Sequence, residues 1–142
     1  NPTWPIKFVP LAVNVIQHPL PTAARCYKLG KAIRKAVEAY DEDFTVAIFG
    51  TGGMSHQLSG ERFGHLNSEF DEWFLDQLEG DAEALIKMTH QELMERAGVE
   101  AVELIMWLVM RGAMSEEVSR LHRNYYVPMT TGMGLITLED AT

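Results

Sequence analysis

A single cysteine, Cys26, stands in this chain of 142 residues. One thiol excludes an intrachain disulfide and a cysteine-rich zinc site, and it fits a reducing, cytoplasmic compartment. Positive charge is scarce too. Lys and Arg number 12 against 20 Asp and Glu, a net charge of −8, which argues against nucleic acid or an anionic membrane as partner. No apolar run reaches the roughly 18 residues of a spanning helix, and no signal-peptide pattern opens the chain. Internal repeats and low-complexity stretches are missing. So is an initiating methionine: the chain begins "NPTWPIKFVP", as expected of a piece of something longer.

What remains is ordinary globular composition, 46% hydrophobic and 23% charged, in a length that makes one domain with a real core. Phe8–Ile16 and Phe44–Phe49 are short, apolar and rich in β-branched or aromatic residues, so both read as strands. Between them Thr22 caps a helix expected to run to about Tyr40, with Ala23, Cys26, Tyr27, Ile33 and Val37 on its apolar face. The β-α-β order favours a right-handed crossover and a parallel pair. Further on, Leu66, Phe70, Phe74 and Leu78 keep helical spacing up to Gly80. Asp81–Met88 reads as a short helix. Thr89 and Glu92 form a capping box for another, stopped at Gly98. Val99 to about Arg111 is a strongly apolar helix. Two strand candidates flank the "TTGMG" turn near the end. The class is α/β, a mixed central sheet flanked by helices.

The stretch "FGTGGMSHQL", residues 49–58, is where chemistry is expected. Gly50, Gly52 and Gly53 follow a strand and allow close backbone approach, and His56 is the titratable group they deliver. These glycines are wrongly spaced for a dinucleotide fingerprint or a P-loop, and Ser55 lacks the glycine pair of a nucleophile elbow. His56 is therefore a base, a ligand or a turn histidine. Glu103 is the second informative residue. Within "VELIMWLVM" its carboxylate needs compensation, by Arg96, Arg111, a network or a cation. His18, His65, His90 and His122 read as solvated histidines, and no two histidines stand at a tight metal-ligand spacing.

"VNVIQHPLPTAARCYKLGKAIRKA", "VAIFGTGGMSHQLSG" and "GVEAVELIMWLVMRGAM", in that order and followed by "HRNYYVPMTTGMG", resemble one family. It is the class III extradiol ring-cleavage dioxygenases, and the likeness is to the C-terminal half of the catalytic subunit of protocatechuate 4,5-dioxygenase and gallate dioxygenase. The resemblance implies non-haem Fe(II), held by two histidines and one glutamate, and cleavage of a catecholic acid by O₂. Glu103 matches the glutamate ligand and His56 the acid/base histidine. Gly53, Thr130 and Thr131 fall where the family contacts its substrate. The two histidine ligands lie in a half with no counterpart here, so the resemblance implies a portion of a catalytic subunit, inactive alone. It also implies an oligomer, with a small α subunit or fused helical domain closing the pocket. Two alternatives stand beside this reading: a non-catalytic binding or assembly module, and a hydrolase or transferase pairing His56 with Ser55.

Overall fold

The computed structural model describes residues 3–141. After an extended N-terminal ribbon come α1 (Ala23–Glu38), α2 (Ser68–Glu79), α3 (Glu83–Lys87) and α4 (His90–Ala97). A 3₁₀ turn (Glu100–Leu104) then runs into α5 (Ile105–Gly112), and the strands β1 (Val118–Tyr126) and β2 (Met133–Asp140) close the chain. The two strands form an antiparallel hairpin with an irregularity between Arg120 and His122.

The helix signals act as local chemistry dictates. Thr22 accepts from the Arg25 N–H at 3.2 Å, Asn67 caps α2 through the Phe70 N–H, and Thr89 and Glu92 make the reciprocal capping box of α4. Phe70, Phe74, Leu75 and Leu78 of α2 meet Leu104, Ile105, Trp107 and Leu108 in the core, with Phe74 edge-on to Trp107. α1 lies across α5, where two glycines bring the backbones together. A Cβ on Gly30 would stand 2.2 Å from the Val109 carbonyl oxygen, and one on Gly112 the same distance from the Tyr27 carbonyl oxygen. Buried Cys26 packs in that core as a small apolar group. Arg123 on β1 pairs with Glu72 and Asp76 of α2, holding the hairpin against the helix.

The expected central sheet is not formed among the described residues. Phe8–Ile16 and Phe44–Phe49 run without strand partners, leaving Phe8, Val9 and Phe49 79%, 89% and 83% exposed. Composition prepared both segments for pairing, but a strand exists only where a neighbour completes its ladder. α1 crosses α5 instead of covering a parallel pair. The single long helix expected from Val99 is likewise split, so Glu103 lies in the 3₁₀ turn that precedes α5. The chain is mixed α and β, with a two-stranded sheet.

Candidate active site

The glycine-rich loop is fixed on three sides. Met54 N–H donates to the Gly132 carbonyl at 2.9 Å, and Gly132 N–H returns a bond to Ser55 at 2.8 Å, so His56 and Thr131 face each other as an antiparallel bridge. His56 N–H donates to Ala97 at the end of α4. There Gly98 takes φ +101, and a Cβ on it would fall 2.1 Å from the His56 carbonyl oxygen. The α4 stop signal thus also makes room for the loop. The third side is α2, through Asp71, whose carboxylate takes the Ser55 N–H at 2.8 Å.

His56 is 6% exposed. Its Nδ1 lies 2.7 Å from the Met54 carbonyl oxygen, which can only accept, so the proton sits on Nδ1. In the tautomer this bond selects, Nε2 is the nitrogen that can accept a proton. Gly53 packs against this ring: a Cβ there would stand 2.9 Å from His56 Cε1 and 3.1 Å from Thr131 Cγ2.

Glu103 comes to the same loop. Its Oε2 accepts the Gly53 N–H at 2.8 Å, and no cation pairs with it among the described residues. Neither arginine considered from the sequence reaches it. Arg96 lies over Phe70 and Trp73, 4.5 and 4.6 Å from their centroids. Arg111, 2% exposed, gives its N–H groups to the carbonyls of Leu78, Gly80, Ser115 and Glu116. Burial lowers the Arg111 pKa. Trp107 Nε1 donates to the Gly52 carbonyl and steadies the loop from α5.

His56, Gly53, Thr131 and Glu103 are thus brought together from a loop, a turn and a 3₁₀ segment. Thr130, half-buried in the adjoining turn, makes no hydrogen bond to this loop. The other histidines lie elsewhere. His65 Nε2 donates to the Arg96 carbonyl and His90 Nε2 to that of Pro21, while His18 and His122 are exposed. Ser55 does not pair with His56. Its hydroxyl donates to Asp71 Oδ2 at 2.6 Å and is fully buried, which removes the Ser–His arrangement of the hydrolase alternative.

The sequence reading passed over Asp71. Its signal was present: in "EFDEWFLDQL" it precedes Leu75 and Leu78 by four and seven positions, on the apolar side of α2. Burial pushes its carboxyl upward, against the hydrogen bonds from Ser55 and Tyr125 that hold it down. The Tyr125 hydroxyl, 2.8 Å from Asp71 Oδ2, is pushed up to about 12 by burial and by that carboxylate.

Residues 1–136 match the family described as the catalytic LigB subunit of aromatic ring-opening dioxygenase. The chain belongs to the LigB family. It is also 51% identical over 138 residues to gallate dioxygenase of Pseudomonas putida (strain KT2440), an alignment covering 97% of this chain and 41% of that protein. The LigB-family chain therefore spans well under half the length of this curated relative. No helix among its described residues is long and apolar enough to cross a membrane. Within it, no group of three His, Cys, Asp or Glu among the described residues is placed to hold a metal ion. Among the described residues Glu103 Oε2 meets the Gly53 N–H and no cation, and a carboxylate oxygen is a donor suited to a non-haem iron site, so its chemistry fits one ligand position.

Proposed function

We propose that these residues form the glutamate-ligand and acid/base side of an extradiol ring-cleaving site. It acts on a catecholic acid such as gallate or protocatechuate, with O₂ as co-substrate. The observation that carries this reading is the convergence of His56 and Glu103 on Gly53, in a chain of the LigB family. The 51% identity to a gallate dioxygenase supports the substrate class. The two histidine ligands, and the strand partners of the Phe8–Ile16 and Phe44–Phe49 ribbons, come from residues outside these 142 in this account. A small helical subunit or domain and an oligomeric assembly belong to the same proposal.

Non-haem Fe(II), held by Glu103 and by donors beyond this chain, supplies the Lewis acid and the electron path to O₂ when bound. The chain's own residues do the rest. His56 Nε2 takes a proton from a ring hydroxyl, and the Met54 carbonyl holds Nδ1–H so that the accepting nitrogen faces the substrate. After ring attack the same imidazolium returns a proton. Gly53, lacking a side chain, lets the His56 imidazole and Thr131 pack against its backbone and gives its N–H to Glu103. The Thr131 hydroxyl, and Thr130 beside it, offer hydrogen bonds to a ring substituent. The low exposure of His56 limits water around the transferred proton.

Metal binding tests the ligand assignment. Anaerobic Fe(II) titration of the longest natural protein carrying these residues should give one ion per site in the parent and markedly weaker binding in Glu103→Ala. Equal affinity in the two proteins refutes Glu103 as a ligand.

A further inference from the structure

Asp71 lies outside the reacting groups but touches both segments that carry them. It is fully buried, and no cation pairs with it among the described residues. Its Oδ1 takes the Ser55 N–H at 2.8 Å, and its Oδ2 takes the hydroxyls of Ser55 at 2.6 Å and Tyr125 at 2.8 Å. The Ser55 hydroxyl in turn accepts the Asn67 N–H, the cap of the helix on which Asp71 rides. Oδ2 also lies against the second segment: a Cβ on Gly132 would stand 2.2 Å from it. One carboxylate therefore meets the residue before His56 and the residue after Thr131.

A buried carboxylate is a costly choice if the task is only to fill space, because an apolar side chain would pack without desolvating a charge. What the charge adds is direction. Three donors converge on two oxygens and fix Ser55, and with it the Met54 carbonyl that orients the His56 ring. We propose that Asp71 is the positioning residue of this site, setting the His56 ring and the Thr131 turn in register through Ser55 and Tyr125. The inference rests on the acid/base reading of His56 for its kinetic consequence but not for its structural one.

The test uses Asp71→Asn and Tyr125→Phe in the longest natural protein carrying these residues, with and without His56→Ala. Imidazole ¹⁵N spectra of the metal-free protein read the His56 tautomer, and oxygen uptake with gallate reads turnover. The parent ring should be in the Nδ1–H form. In Asp71→Asn that form should give way to a mixture, and kcat should fall at least tenfold with KM changed less than threefold. Tyr125→Phe, which keeps the Ser55 contacts, should cost kcat two- to fivefold. In the His56→Ala background Asp71→Asn should cost less than twofold, since a positioning residue has nothing left to position. An unchanged tautomer in Asp71→Asn, or the same loss with and without His56, overturns the proposal. If Asp71→Asn does not fold, an unchanged ring and unchanged kcat in Tyr125→Phe overturn it instead. Absence of oxygen uptake in the parent counts against the dioxygenase reading alone, and the spectra still decide the role of Asp71.

Discussion

Replacing Gly53 by alanine tests the site with a single methyl group. Gly53 is not among the glycines with positive φ, so the backbone accepts alanine, and the Gly53 N–H that serves Glu103 is retained. The consequence is steric. The new Cβ would stand 2.9 Å from His56 Cε1, 3.1 Å from Thr131 Cγ2 and 3.2 Å from His56 Nδ1. Ordinary carbon contacts begin near 3.5 Å, so the ring must retreat by roughly half an ångström. Overpacking of this kind costs about 1–3 kcal/mol of stability. If a misplacement of about 1 Å costs 10²-fold in rate, half of that costs about tenfold, or about 1.4 kcal/mol in the barrier. Oxygen uptake with gallate, scored per folded and iron-loaded site, reads the rate, and urea unfolding reads the stability. The expected variant is folded, about 1–2 kcal/mol less stable, and about tenfold slower. A variant as fast as the parent would show that the Gly53–His56 contact does not set the reacting geometry.

Three further predictions concern the frame. Gly30→Ala places a methyl group 2.2 Å from a backbone oxygen that cannot swing away, so the α1–α5 crossing should open at a cost above about 3 kcal/mol; thermal unfolding, or loss of soluble protein, reads it. Arg111→Met strips the donors from four carbonyls and should destabilise by about 3 kcal/mol in urea unfolding. For Asp140, burial raises the carboxyl, but the Ser115 N–H and Arg34 outweigh it and hold the pKa below the ordinary 3.8. Its contribution to stability is therefore present above that value and lost as pH falls through the lowered one, so Asp140→Asn should flatten the acid limb of the stability profile between about pH 5 and pH 2.

Local signals in the sequence were reliable where the structure is local. Thr22, Thr89 with Glu92, Gly80 and Gly98 mark helix ends through bonds within a few residues, and each marks one here. The hairpin around "TTGMG" is legible for the same reason. The central sheet was not, because pairing of Phe8–Ile16 or Phe44–Phe49 depends on a neighbour that no local pattern specifies. Strand composition describes a capacity to pair, not the presence of a partner. Part of the site was legible as well. His56 announced itself through the glycines around it, and Glu103 through its apolar setting. Asp71 escaped notice because an acidic residue in a helix reads as solvated unless its i+4 and i+7 neighbours are weighed with it. The contact between α1 and α5 was hidden for another reason: Gly30 and Gly112 carry no side chain to mark an apolar face.

The most direct measurement is anaerobic Fe(II) loading followed by oxygen-electrode assays with gallate and with protocatechuate. It is made on the longest natural protein that contains these residues, beside His56→Ala and Glu103→Ala. Oxygen uptake is expected with at least one of these substrates, with a ring-opened product, and it is lost in Glu103→Ala and cut to a small residual rate in His56→Ala. Uptake at the parent's rate in both variants, or none in an iron-loaded parent, would contradict this reading.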